Sequence, residues 1–273
     1  MAFKDTARRY SIEVKPGVVE LLASVTTGLS IIDKSAPLMH WAVNRERMVV
    51  AEAIQRVFVD LEALVGDPEK RRSDFLKAVH GGYDAFVGAI SGAKAMVKAN
   101  EEALMIGTAA HAMIEWLNRK QMGEKVGPEP KVPDAALLAV EAFKDWAKAV
   151  DFTPLVIERV VYCAEPECYY AGTFDFIALV QGIRTLGDFK TSRAIYTESF
   201  LQNIAYRHAA EQCGMPTEQG IILRLPKTLE DPAFEAMPVP PTDLEDFRSC
   251  LRLWRWRRRM EGRDDYAPPE SRA

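Results

Sequence analysis

Apolar residues return every three or four positions through VVELLASV, WAVNRERMVVAEAIQRVFVDLEALV and DAFVGAISGAKAMVKANEEALMIGTAAHAMIEWL, which predicts a mainly helical stretch from about residue 17 to residue 120. The segment MGEKVGPEPKVPD, Met122 to Asp134, collects Gly, Pro and charge without periodicity and reads as an exposed connection; a helix from Ala135 to about Val150 follows. From Val156 the period shortens. VIERVVYC, YYAGTFDFIALV and IRTLGDFK are rich in β-branched and aromatic residues and are parted by short turns such as Gln181-Gly182, so they read as three strands of a meander. A helix from about Glu198 to Cys213 stops at Gly214 with Pro216 behind it, and QGIILRL reads as a fourth strand. The last helix opens on Thr242 to Glu245, a capping-box pattern, and runs to about Met260, with a frayed tail after it. No internal repeat or low-complexity tract interrupts this order.

Composition changes the picture in three ways. A chain of 273 residues with 48% hydrophobic content can bury a sizeable core, so it is expected to fold alone. The 35 Lys and Arg nearly balance the 39 Asp and Glu, which excludes a whole-protein basic field and leaves any nucleic-acid contact to a local patch. Neither a signal-like apolar run at the N-terminus nor a membrane-spanning stretch is present in the sequence, so the expectation is a cytoplasmic protein without a membrane partner. Cys163, Cys168, Cys213 and Cys250 are too few for a disulfide scaffold and are expected to stay reduced. Cys163 and Cys168 resemble half a metal site, but no second cysteine pair or clustered histidine completes it in the sequence.

The candidate chemistry lies on GTFDFIALV and RTLGDFKTS. Asp175 sits in mid-strand among Phe174, Phe176 and Ile177, where a carboxylate is costly to bury unless it is paired or bound to a cation. Alternation puts Asp188 and Lys190 on one side of the next strand, and a hairpin turned at Gln181-Gly182 brings Asp175 alongside. Two carboxylates and an ammonium in that arrangement suit Mg²⁺ or Mn²⁺ and phosphodiester hydrolysis; a cross-strand salt bridge between Asp175 and Lys190 fits the same residues. In IGTAAHAMIEWL, Gly107, His111 and Glu115 fall at four-residue steps on one helical stripe while Ala110, Ile114 and Leu117 line the buried side. By itself His111 also fits a solvated or core position. Gln202 and Tyr206 are four apart on the helix after the lysine strand, where a surface amide and a core tyrosine fit as well as a functional pair; His208 lacks such spacing and is read as surface.

Taken together, G-x3-H-x3-E, GT-x-D, D-x-K-TS and Q-x3-Y, in that order from Gly107 to about Leu225, resemble the PD-(D/E)XK nuclease superfamily, and within it the RecB-like branch of CRISPR-associated and phage exonucleases. The stretch VTTGLSIIDKSAPLMHWAVNRE is similar, more weakly, to the opening helices of phage members. The resemblance implies an α/β fold with a restriction-endonuclease-like core: a central mixed sheet flanked by helices in αβββαβ order, beside an N-terminal helical lobe. It divides the chain into a lobe at 1–98, a nuclease core at 99–240, and a C-terminal helix and tail at 241–273 packed on that core. It implies that His111, Asp175, Asp188 and the main-chain carbonyl of Phe189 hold Mg²⁺ or Mn²⁺, and that Lys190 serves the nucleophilic water. It further implies that Gln202, Tyr206, Thr191 and Ser192 contact substrate or brace the site, with Glu115 and Gly107 in support. Cysteine-bearing branch members carry one cysteine before the core and three after it; here Cys163 and Cys168 lie inside it, so no iron–sulfur cluster is expected.

The implied activity is a metal-dependent exonuclease acting on single-stranded DNA or DNA ends, in phage or bacterial DNA processing and recombination, in the host cytoplasm if phage-encoded, with any recombination or replication partner unidentified. Alternatives are a flap or branch endonuclease of the same superfamily and a non-cleaving nucleic-acid-binding protein on the same fold. For holding DNA, RLWRWRRRMEGR interleaves Arg252, Arg255, Arg257, Arg258 and Arg259 with Trp254 and Trp256, and Arg255 and Arg258 are the selected contact residues. The same helix also fits a core face of Leu244, Phe247, Leu251 and Trp254 with arginines merely solvating the other side. Lys70, Arg71 and Arg72 form a second small basic cluster.

Overall fold

The computed structural model describes residues 9–32, 93–166, 168–227 and 231–262. The chain divides into two units, Met1–Ile32 with Ile106–Ala273, and Asp33–Met105. All the described strands belong to the first. The helices expected between residues 33 and 92, the Lys70 to Arg72 cluster and the tail beyond residue 262 lie outside the described residues.

Along the described chain the elements are strands β1 (Arg9–Lys15) and β2 (Val18–Ser24), the short helix α1 (Val25–Gly28), and helices α2 (Ala93–Gln121) and α3 (Asp134–Ala149). Strands β3 (Thr153–Cys163), β4 (Tyr170–Val180) and β5 (Ile183–Lys190) come next, then α4 (Thr197–Gln212), β6 (Gln219–Arg224), β7 (Glu235–Pro238) and α5 (Leu244–Met260). The fold is mixed α/β with a central mixed sheet flanked by helices. One core cluster packs Val161, Phe174, Ile177 and Leu186 of the sheet against Ala205 and Tyr206 of α4 and Phe247, Leu251 and Trp254 of α5. The opposite cluster packs Phe176, Ala178, Phe189 and Leu223 against Ala110 and Ile114 of α2 and Val140 and Phe143 of α3.

The meander forms as its sequence predicts. Val180 pairs with Ile183 across a two-residue turn in which Gln181 and Gly182 both take positive φ, 51° and 80°, the geometry of a tight hairpin. That turn sets the register of everything downstream on β5. β5 then pairs in parallel with β6, from Thr185↔Gln219 to Lys190↔Arg224, with α4 as the crossover.

Two expectations fail here. VVELLASV, expected to be helical, is strand β2, and residues 9–32 belong to the sheet unit rather than to a helical lobe ending at residue 98. Its apolar residues satisfy a three-to-four spacing, yet pairing decides: β2 is antiparallel to β1 and bridges β4 in parallel at Ala23↔Tyr170 and Ser24↔Ala171. The last helix is capped by Asp243, whose Oδ1 accepts from Glu245 N at 3.0 Å, while Thr242 Oγ1 donates to Pro240 O. β1 and β7 are additions to the expected order.

Candidate metal centre

One edge of β4 is occupied along most of its length by β3, from Cys163↔Tyr170 to Thr153↔Leu179. The other edge is shared: β2 covers Tyr170 and Ala171, and β5 begins its ladder at Phe176↔Gly187. Between them Gly172 to Asp175, the GT-x-D segment, has no strand on that side among the described residues. Asp175 therefore sits where β4 and β5 part, at the position across from Asp188. The backbone N–H of Phe189, freed from the ladder, donates to Asp175 Oδ2 at 2.5 Å.

The strands are irregular at the same level. Glu158, in the middle of β3, has φ +47°, a left-handed conformation that costs a residue with a Cβ. Val161 and Cys163 serve the core cluster on the α4 side and Ile157 the one on the α2 side; on β4, Phe174 and Phe176 divide likewise. Both strands thus change which layer their side chains fill at Glu158 and at Asp175, which turns both carboxylates toward the rim between layers. From the α2 side, His111 reaches the same place: one ligand atom each of His111, Glu158 and Asp175 lie within 4.8 Å of one another. The His111 ring rests edge-on against Phe189, 5.5 Å between centroids.

From the α4 side the site is completed by a hydrogen-bonded chain. Lys190 Nζ is ion-paired with Asp188 and donates to Gln202 Oε1 at 2.8 Å; Gln202 Nε2 donates to Tyr206 OH at 3.0 Å. Gly172 permits this, because a Cβ there would fall 2.4 Å from the Tyr206 ring. Gly107 has the corresponding role on α2, where a Cβ would meet Thr191 Oγ1 at 2.7 Å.

The electrostatics follow from burial and crowding. Desolvation, then the charge of Asp188, push the Asp175 carboxyl well above its ordinary value against the Phe189 N–H, which opposes the rise. Desolvation and the nearby Glu115 raise Glu158 as well. Burial lowers His111, keeping its imidazole neutral at physiological pH, the form in which a ring nitrogen can ligate. Burial alone would lower Lys190, but the charge and hydrogen bond of Asp188 outweigh it and the lysine stays protonated. Three carboxylates and one neutral imidazole against a single ammonium leave an excess of electron-pair donors, mostly hard oxygens, that a divalent cation would offset. The residues therefore fit a hard divalent ion.

The remaining expectations divide. Glu115 is not turned to the centre: it is ion-paired to Arg119 at 2.8 Å, and Arg119 Nη2 donates to Ile157 O at 3.3 Å, tying α2 to β3 beside Glu158. Ser192 Oγ donates to Ala194 O, shaping the turn after β5. Arg255 and Arg258 are corrected as DNA contacts. Both are buried; Arg255 Nη2 donates to the carbonyls of Cys168 and Tyr169 at 2.7 and 2.8 Å, and Arg258 stacks over Trp254, so each guanidinium is spent inside the fold. The core face of α5 is real, with Phe247, Leu251 and Trp254 buried, and Arg252, Trp256, Arg257 and Arg259 face out. His208 is corrected from surface to half-buried, its Nδ1 3.0 Å from Tyr170 OH.

Glu158 is a site residue that sequence reasoning passes over. The signal was there: like Asp175, it is a carboxylate in a run of β-branched residues, VIERVV.

No protein-family model matches this chain, and no curated protein matches it. A solved structure described as "Crystal structure of SSO0001" aligns with a TM-score of 0.28 and 16% identity over 45% of this chain, which spans 60% of that one. That likeness is too slight to bear on fold family or activity. Among the described residues no helix is long and apolar enough to cross a membrane.

Proposed function

We propose that this chain is a PD-(D/E)XK-type, divalent-metal-dependent DNA nuclease acting at the rim where β4 and β5 part. The observation that carries the reading is that His111 and Asp175 fall in one group of possible ligands with Glu158, while the Asp188–Lys190 ion pair lies close enough to act on both electrostatically; these residues come from the strands and the helix in the order the resemblance requires.

In this reading His111, Asp175 and Asp188 hold Mg²⁺ or Mn²⁺, with Glu158 beside them. The Phe189 carbonyl is available too, because an extended residue directs its C=O to the same neighbour as its N–H, here toward Asp175. When bound, such an ion supplies Lewis-acid polarisation of the phosphodiester and an activated water. The chain's own part is positioning and charge. Lys190, held from two sides by Asp188 and Gln202, keeps its ammonium aimed at the rim, where it orients the attacking water and offsets negative charge developing on the phosphoryl oxygens. Tyr206 and Gln202 fix the lysine rather than touch the reacting atoms. Among the described residues no strand covers β4 between β2 and β5, and in this reading that stretch is where a nucleic-acid backbone would approach. Exposed Arg252, Arg257, Arg259 and Trp256 are the groups on α5 that remain for holding a strand.

The branch likeness favours an exonuclease on single strands or ends. The test is cleavage of end-labelled single- and double-stranded DNA with Mg²⁺ or Mn²⁺, alongside Asp188→Ala and Lys190→Ala. Metal-dependent cleavage by the wild type and its loss in both variants is expected; a wild type as inert as the variants on every substrate and metal would sink the proposal. A covalently closed single-stranded circle is included because only an endonuclease cuts it.

A further inference from the structure

The connection between β3 and β4 holds a second cluster, far in character from the first. Cys163 ends β3, Cys168 lies just before β4, Glu165 stands between them, and His208 comes up from α4. One ligand atom from each of the four lies within 4.8 Å of the others. Both cysteines are buried free thiols. Glu165 Oε2 accepts from Cys163 Sγ at 3.8 Å, and the loop is folded tightly by Glu165 O, which accepts from the backbone N–H of both Cys168 and Tyr169 at 2.9 Å.

We propose that Cys163, Cys168, His208 and Glu165 form a structural zinc site that fastens the β3–β4 connection to α4. Two sulfurs, an imidazole and a carboxylate are a donor set suited to tetrahedral Zn²⁺, and closing on an ion at ordinary zinc–ligand distances would bring the ligand atoms to separations of about 3.3–3.8 Å. From separations of at most 4.8 Å, the ligand atoms need to close by no more than about 1.5 Å.

The surroundings are those of a metal site rather than of two idle thiols. Tyr170 OH donates its single hydrogen to Ala205 O at 2.9 Å, so at His208 it accepts, and Nδ1 of that ring carries the proton. Nε2 is left with its lone pair free, and the histidine is oriented by a neighbour in the way metal-ligating histidines are. Arg248 Nε donates to Cys168 Sγ at 3.2 Å, which favours the thiolate, and Arg255 holds the Cys168 and Tyr169 carbonyls from α5. Two thiolates and a carboxylate around Zn²⁺ carry one net negative charge, and these two guanidiniums lie against it. The burial of Arg255, unexplained by DNA binding, acquires a purpose.

The experiment is anaerobic titration of the reduced, chelator-treated full chain with Co²⁺, followed by displacement with Zn²⁺. The expected result is one equivalent giving a sulfur-to-cobalt charge-transfer band in the near ultraviolet and intense visible bands of tetrahedral cobalt, both erased by Zn²⁺. Cys163→Ser and Cys168→Ser each weaken the charge-transfer band, the double variant Cys163→Ser/Cys168→Ser loses it, His208→Gln weakens it, and the double variant Cys213→Ser/Cys250→Ser keeps it. No residue of the rim centre carries sulfur, so an ion bound there cannot produce the band, and Asp175→Asn leaves it in place. Because a serine variant can fail by misfolding, a second measurement uses the wild type alone: a mercurial reagent should release bound zinc in step with the loss of two thiols. The proposal is overturned if the reduced protein gives no charge-transfer band, or if the band survives in Cys163→Ser/Cys168→Ser. It is equally overturned if Cys163 and Cys168 prove to be a disulfide that binds no metal after reduction.

Discussion

The β3–β4 hairpin carries ionisable clusters at two levels, and their difference is instructive. At the loop end the ladder is intact up to Cys163↔Tyr170, the donors are sulfur and nitrogen as well as oxygen, and arginines from α5 close over them. At mid-hairpin the ladder on one side of β4 is missing, the strands switch layers, oxygen donors dominate, and a lysine stands among them. An intact, covered edge makes a cluster structural, because Glu165, Arg248 and Tyr170 hold its thiols and its imidazole in place within the fold. An opened edge leaves carboxylates whose repulsion is answered only in part by the protein, and it leaves room for something else to answer the rest.

The sharpest way to break this comparison is to cut one cluster at a time. Asp188→Asn is expected to lower DNA cleavage by on the order of 10³-fold with little change in the thermal midpoint. Cys168→Ser should do the reverse, lowering the midpoint while kcat measured below it stays within about twofold. Loss of cleavage in Cys168→Ser at unchanged midpoint would end the distinction. Next in size, Glu158→Gln is expected to weaken Mn²⁺ binding by about 10–100-fold in calorimetric titration, the usual penalty for removing a group that supports a metal's ligands. An unaltered affinity would make Glu158 a bystander.

Arg255→Met tests the covering arginines. It strands the Cys168 and Tyr169 carbonyls and should cost about 1.5–3 kcal/mol in denaturant unfolding without altering the salt dependence of DNA binding. Arg259→Ala, on the exposed face, should flatten that salt dependence and leave stability alone. Swapped results would return Arg255 to the DNA interface.

The smallest effect is a pH dependence. Asp175 has its folded-state pKa raised by burial and by Asp188, so the folded protein takes up that proton more readily than the unfolded chain. Its contribution to stability is complete below the unfolded value of about 4 and is lost as pH rises through the raised folded value. In chelator, the wild type should therefore lose thermal stability relative to Asp175→Asn as pH is raised from about 4 through neutrality, and Mn²⁺ should restore it. A difference between the two proteins that stays flat over that range would contradict the assignment.

Much of the sheet was legible because its signals are local. Period-two patterning and the Gln181-Gly182 turn set the β4–β5 register, and with it the opposition of Asp175 to Asp188. His111, Lys190, Gln202 and Tyr206 lie on the elements where spacing put them. What escaped was decided at a distance. VVELLASV satisfies either period, and only its pairing with β1 and β4 makes it a strand. Arg255 reads as one of five similar arginines until the carbonyls of the Cys168–Tyr169 turn are in place beneath it. His208 looked unsupported because its partners, Tyr170 and the two cysteines, come from strands well upstream.

The two-residue bridge from β2 to β4 has a bearing on how the molecule assembles. Ala23 and Tyr170 are remote in sequence, and all of Asp33–Met105 lies between them, so closing that loop spends chain entropy before any contact rewards it. The β3–β4–β5 meander and its crossover through α4 to β6 need only short closures. Loop-closure entropy therefore predicts that the N-terminal hairpin, although synthesised first, docks after the meander, and with it the Tyr10–Thr173 hydrogen bond to the GT-x-D segment.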